Sequence, residues 1–257
     1  MEIGILCLAS FSVSLLTFFS GFGLGTLLMP VFALFFPVDV AIALTGVVHL
    51  LNNIFKFILM NRKVDVTTVL RFGVPAILGA YLGAKLLLNL SSWPPLFEYQ
   101  LGGKSFYGTP VKLIIAILLI FFALMEVLPS FKKIEFDKNK MVAGGLLSGF
   151  FGGLSGHQGA LRSAFLIRSG LSKEGYIATG VLIACMVDVS RLFVYSEKYL
   201  HSGLMDNSML LILATFSAFL GAFLGNLLLK KVTLDHVQLL VIVMLFLLAI
   251  GLGLGLV

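Results

Sequence analysis

Charge is scarce in this 257-residue chain: Asp, Glu, Lys and Arg together make up 12% of it. A soluble domain carries about 25%, so an ordinary water-facing surface is excluded. Disorder is excluded as well, because 59% of the residues are hydrophobic and the mean hydropathy is +1.08. Cysteine is nearly absent. Cys7 and Cys185 both lie within apolar runs, which argues against a disulfide framework or a cysteine metal cluster. No metal and no cofactor is expected. The apolar run after Met1 and Glu2 has no basic stretch before it, so it reads as membrane domain rather than a secretory signal. Alternating strands of the kind a transmembrane β-barrel needs are missing too.

What is present fits an all-α polytopic membrane protein. Glycine, at 27 copies, is at home in membrane helices. Apolar segments fall at 3–20, 23–37, 39–60, 66–90, 111–129, 141–155, 159–171, 175–195, 207–229 and 235–257. A crossing takes about 20 residues, which six of them supply. The pairs 3–20/23–37 and 141–155/159–171 are shorter and separated by glycine. Each reads as a helical hairpin with its tip inside the membrane, its arms either re-entrant or crossing.

Basic residues set the orientation. Arg62 and Lys63, then Lys132, Lys133, Lys138 and Lys140, then Lys173, then Lys230 and Lys231 mark one side, which the positive-inside rule makes cytoplasmic. Both termini then lie outside, with a turn-rich external loop at 91–110. The net charge of +6 is explained by these loops and implies no nucleic acid; the partners expected are the lipid bilayer and a small anion, with a homo-oligomer left open.

A duplication runs through the chain. Gly79-Ala80-Tyr81-Leu82-Gly83 returns as Gly221-Ala222-Phe223-Leu224-Gly225, and Asn53 and Lys56 return as Asp188 and Arg191. This predicts two inverted repeats, 1–129 and 141–257, joined by a basic cytoplasmic linker at 130–140. Each is a glycine-broken helical hairpin plus three transmembrane helices, an odd number that inverts the second copy. Many secondary transporters are built this way.

The chemistry is sought where polarity enters the apolar spans. Gly21, Gly23 and Gly25 in the first tip, and Gly153, Gly156 and Gly159 in the second, allow sharp turns and leave amides open to an anion. Gly79, Gly83, Gly221 and Gly225 read as packing faces. Thr45, His49, Asn52, Asn53 and Lys56 form one stripe at helical spacing; Thr179, Asp188, Arg191 and Tyr195 form its counterpart. Ionisable residues deep in a span mark function by default. His49, Lys56 and Asp188 are candidates for proton or charge coupling. For Lys56, snorkelling to the interface is the alternative, and for Asp188 with Arg191 a structural i,i+3 salt bridge. Asn52, Asn53 and Arg191 join Ser155, Gly156, His157, Gln158, Gly159 and Arg162 as candidate substrate ligands. Arg162 leads them, because a guanidinium matches carboxylate, sulfonate or phosphate oxygens.

The first tip with its continuation, Ser20-Gly21-Phe22-Gly23-Leu24-Gly25-Thr26-Leu27-Leu28-Met29-Pro30, resembles the signature of the TauE/SafE sulfite-exporter family. Asn61-Arg62-Lys63-Val64-Asp65 is similar to its loop after the next helix, and Gly149-Phe150-Phe151-Gly152-Gly153-Leu154-Ser155-Gly156 to its second copy. The resemblance implies export of small sulfur-containing anions, such as sulfite or sulfoacetate, across a bacterial inner membrane. An anion channel using the same pocket is the alternative. A third reading rests on Gly153-Leu154-Ser155-Gly156, which is similar to the G-x-S-G of rhomboid intramembrane proteases. It needs a histidine within reach of Ser155, and of His49, His157, His201 and His236 only His49 sits at a suitable depth.

Overall fold

The computed structural model describes residues 2–17, 24–60, 64–127, 138–167, 169–199, 205–228 and 234–256. Within these the chain forms α1 (Glu2–Thr17), α2 (Leu24–Ala33), α3 (Val38–Met60), α4 (Val66–Leu90), α5 (Pro110–Val127), α6 (Met141–Ser155), α7 (Gly159–Leu166), α8 (Lys173–Tyr199), α9 (Ser208–Leu228) and α10 (Leu234–Gly253). The tip residues Gly21 and Gly23 lie outside the described residues, as do Arg62, Lys63, Lys132, Lys133, Arg168, His201, Lys230 and Lys231. So do the side chains of Lys138, Lys173 and His236.

The molecule is inside-out relative to a soluble protein. Phe193 is 70% exposed, whereas Asp188 and Arg191, on the same helix, are 0% exposed. Apolar side chains face outward to lipid and polar ones are gathered within. Four helices are long and apolar enough to cross a membrane, at Val38–Leu59, Val66–Leu90, Glu174–Tyr199 and Ser208–Gly225. The chain is therefore a multi-pass membrane protein. Six such spans are expected from the sequence; among the described residues, the apolar stretches Pro110–Met125 and Ile242–Gly253 fall short of that length. The returning hairpin arms are shorter still. Their described helices, 10 residues in α2 and 8 in α7 at about 1.5 Å each, are shorter than a hydrocarbon core about 30 Å thick.

Tertiary hydrogen bonds fix which ends lie together. At one end Tyr199 donates to Asp39 (2.6 Å), Lys85 pairs with Glu197 (2.6 Å), and the Tyr99 hydroxyl donates to the Leu254 carbonyl (2.7 Å). At the other, the Asp65 amide donates to the Thr179 hydroxyl (2.9 Å). Asp65 also caps α4, accepting from the Thr68 amide at 2.7 Å. Since Asp39 meets Tyr199 and His49 meets Asp188, α3 and α8 run antiparallel.

Small residues bring two helix pairs into backbone contact. Gly145, Gly149 and Gly153 of α6 lie against the carbonyls of Phe72, Ala76 and Ala80 of α4, and a Cβ on any of the three would collide with them. Gly79 and Gly83 of α4 answer against Leu146 and Phe150. Gly221 of α9 meets the Phe11 carbonyl and the Leu15 amide of α1 in the same manner as Gly79 meets Leu146 and Phe150. The packing role expected for Gly79, Gly83 and Gly221 is what the structure gives them. Gly153 is corrected: it belongs to this packing seam and is not free to open the tip.

Two local features differ from the sequence reading. The loop at 91–110 contains an antiparallel hairpin, β1 (Phe97–Leu101) with β2 (Lys104–Gly108), turning through Gly102 and Gly103 at φ of 60° and 78°. In α4 the turn Val69–Gly73 is a π-helix. It directly precedes Pro75, whose missing N–H and bulky ring disturb the bond to residue 71, and a wider turn absorbs that.

If the α4–α6 seam holds the second hairpin in place, Gly149→Val is expected to lower the detergent melting temperature sharply. Overpacking of this kind costs about 1–3 kcal/mol or more. Gly4→Val, where nothing lies within 4 Å of a new Cβ, is expected to leave the melt unchanged.

Candidate functional site: a buried cationic cluster between two helix breaks

The second break is built from local sequence. Helix α6 ends in Gly156, left-handed at φ 82°, whose amide donates to the Gly152 carbonyl at 3.0 Å. A glycine takes this helix-ending conformation without a Cβ penalty. The Ser148 hydroxyl donates to the Gln158 carbonyl (3.0 Å), and His157 Nδ1 lies 2.9 Å from the Ser155 carbonyl. A carbonyl only accepts, so Nδ1 carries the hydrogen. Its ring stacks on Phe122 with centroids 5.4 Å apart. Gly159 then opens α7.

The first hairpin reaches the same place. A Cβ on Gly25 would lie 3.4 Å from the Gly156 carbonyl oxygen and 3.7 Å from the His49 ring. The second tip, the start of α2 and the middle of α3 therefore converge.

At the convergence lies Asp188, fully buried. His49 Nδ1 is 2.6 Å from its Oδ2. Its Oδ1 accepts from Arg191 Nε at 2.9 Å and from Gln158 Nε2 at 3.3 Å. Arg191 Nη2 lies 2.8 Å from the same oxygen as an ion-pair contact. With His49 Nδ1–H turned to the carboxylate, Nε2 is left to accept from Asn53 Nδ2, 3.3 Å away. Asn52, one residue earlier, faces the other way and accepts from the Ser14 hydroxyl of α1 at 3.0 Å.

Arg191 is wholly buried. Its Nη1 donates to the Gly152 carbonyl (3.3 Å) and the Tyr195 hydroxyl donates to the Gly153 carbonyl. Tyr195 thereby satisfies a carbonyl that the end of α6 leaves open, and Arg191 adds a second donor to one that already accepts the Gly156 amide. Lys56 is buried at 6% exposure, which rules out a fully snorkelled head group. It lies within electrostatic reach of Arg162. Arg162 is half-buried, with Nη1 donating to Gln158 Oε1 at 3.2 Å. Among the described residues, then, Asp188 is the carboxylate of a cluster holding the cations Lys56, Arg162 and Arg191. Such a cluster favours a bound anion.

The Ser155 hydroxyl donates to the Phe151 carbonyl at 3.0 Å, and His49 Nε2, the ring nitrogen a serine would need, faces Asn53 Nδ2. The sequence reading missed Gly46 and Gly180. A Cβ on Gly46 would lie 3.4 Å from the Arg191 guanidinium carbon, and one on Gly180 3.6 Å from Arg162 Nε. Gly46 sits one turn before His49 and Gly180 two turns before Asp188. That spacing puts both on the polar stripes, which was the available signal.

Fold and cluster together define a polytopic membrane transporter, with broken helices enclosing polar side chains inside the apolar bundle. The model of the family described as "Sulfite exporter TauE/SafE" matches residues 6–252, and the chain belongs to this family. No curated protein and no solved structure matches it.

Asp188→Asn is expected to be strongly destabilising, by about 3–5 kcal/mol, because it strands Arg191 as a buried charge. The double variant Asp188→Leu/Arg191→Met is expected to recover most of that loss. Thermal melts of the purified variants decide the matter; a single variant as stable as wild type would contradict the hub role of Asp188.

Proposed function

We propose that the protein is a secondary transporter that exports or exchanges small sulfur-containing anions, such as sulfite or organosulfonates, by alternating access. The observation that carries this reading is the meeting of Gly25, Gly156 and His49 beside a cluster with more cations than carboxylates. Arg162, half-buried at the start of the returning arm, is the main anion ligand. The amides after Gly156 and the polar groups of His157 and Asn53 complete the pocket. His49 and Asp188, bonded to each other, form the coupling pair, with Lys56 tuning the local field. The membrane potential alone could also drive export, since one negative charge moved outward gains about 2.3 kcal/mol per 100 mV.

Two inverted halves, 1–129 and 141–257, are supported by reciprocal packing. The contact of Gly79 with Leu146 and Phe150 corresponds to that of Gly221 with Phe11 and Leu15. The hairpin partners share one offset, 135 residues (146 − 11 and 150 − 15), which also relates Asn53 to Asp188. The antiparallel course of α3 and α8 fits the inversion. The distribution of Lys and Arg supports external termini, and the family implies a bacterial or archaeal inner membrane.

Proteoliposomes assayed with sulfite, thiosulfate and sulfoacetate are expected to show saturable uptake and counterflow. Arg162→Ala is expected to raise KM by about 10- to 100-fold, the value of a charge-assisted hydrogen bond. Equal uptake by the variant would remove Arg162 as the anchor. Currents that do not saturate would favour the channel.

A further inference from the structure

The geometry points to Gln158 as a neutral spacer that keeps Arg162 available to the anion by holding it one amide away from Asp188. Its side chain is buried at 2% exposure and both ends of its amide are used. Nε2 donates to Asp188 Oδ1 at 3.3 Å, and Oε1 accepts from Arg162 Nη1 at 3.2 Å. An ionised carboxylate only accepts and a guanidinium only donates. The amide therefore fits between them in one orientation, with each end committed to a protein partner. Gln158 is in this sense a positioning residue.

A spacer matters because of what the alternative would be. Arg162 paired directly with Asp188 would be a neutral unit, and an incoming anion would have to displace a carboxylate. With the amide interposed, Asp188 spends its oxygens on His49, Arg191 and Gln158. Arg162 is anchored through one nitrogen and keeps its other N–H groups and its charge. The break in the helix is what permits this. Gln158 sits just before α7 and Arg162 one turn later, so both side chains fall on one face, with the Gln158 carbonyl fixed by Ser148. Among the described residues, the other charged or titratable groups around the bridge are Lys56, Tyr176 and Cys185 near Arg162, and His157 and Tyr195 near Arg191.

This inference rests on Arg162 being the anion ligand, and the experiment separates the two. Gln158→Glu changes the charge of the bridge with pH. When protonated, the new side chain donates O–H to Asp188 and accepts from Arg162, as the amide does. When ionised, it repels Asp188 and forms its own ion pair with Arg162. Sulfite uptake is measured in proteoliposomes between pH 5 and 8, with the variant's KM divided by that of wild type at the same pH, which cancels the ionisation of sulfite itself. The ratio is expected to stay near one at the acid end and to rise about 10- to 100-fold toward pH 8. Gln158→Met, which can neither donate nor accept at these positions, is expected to raise KM equally at every pH. A flat ratio for Gln158→Glu, or unchanged KM in Gln158→Met, would overturn the spacer role while leaving Arg162 as the ligand. Wild-type protein that takes up no sulfite would overturn the transport reading beneath it, and Arg162→Ala with unchanged KM would remove Arg162 as the ligand.

Discussion

A carboxylate shut away from water has to be met by protein donors, and the rest of this structure is arranged around one such group. Burying an ion costs several kcal/mol even after relaxation, and Asp188 is fully buried. It is satisfied by His49 from α3, Arg191 from its own helix and Gln158 from the second break. The bonds from His49 and Gln158 tie together elements apart in sequence. Arg191 in turn reaches the end of α6, and Gln158 reaches Arg162. The cluster is therefore a consequence of how one negative charge is neutralised.

A second constraint makes the first possible. Interrupted helices leave backbone groups unpaired, which lipid does not tolerate unless protein covers them. The second break is covered because glycines let α4 and α6 touch backbone to backbone, so that little space remains around the α6 terminus. Side chains add donors to the carbonyls at the break. Tyr195 and Arg191 donate to those of Gly153 and Gly152, and Ser148 donates to that of Gln158. On the alternating-access reading, two such seams, α4 with α6 and α9 with α1, would carry the hairpins with their opposite halves as rigid units.

Much of this could be read from sequence where the rule is local. The stripe from Thr45 to Lys56 follows from helical spacing, and the Asp188–Arg191 pair from its i,i+3 separation. The stop at Gly156 follows from the conformational freedom of glycine. The bond between His49 and Asp188 could not be read, because it joins residues 139 apart and depends on how α3 and α8 pack. Gly153 was misread because a glycine next to a break looks the same whether it bends or packs. The β-hairpin at 97–108 carried a usable signal, a Gly-Gly turn flanked by aromatic residues. It was obscured by the expectation of a plain external loop. The wide turn in α4 was implied by Pro75, but its form was set by packing.

The most direct measurement is an experimental structure of the protein soaked with selenite, the heavier analogue of sulfite, with the selenium located by its anomalous signal. The site described above calls for selenium within about 4–5 Å of the Arg162 guanidinium carbon, the separation expected when its oxygens accept hydrogen bonds of about 2.9 Å, and between Gly25 and the second break. Selenium bound with Arg162 turned away, or bound outside the space enclosed by the two hairpins, would contradict it.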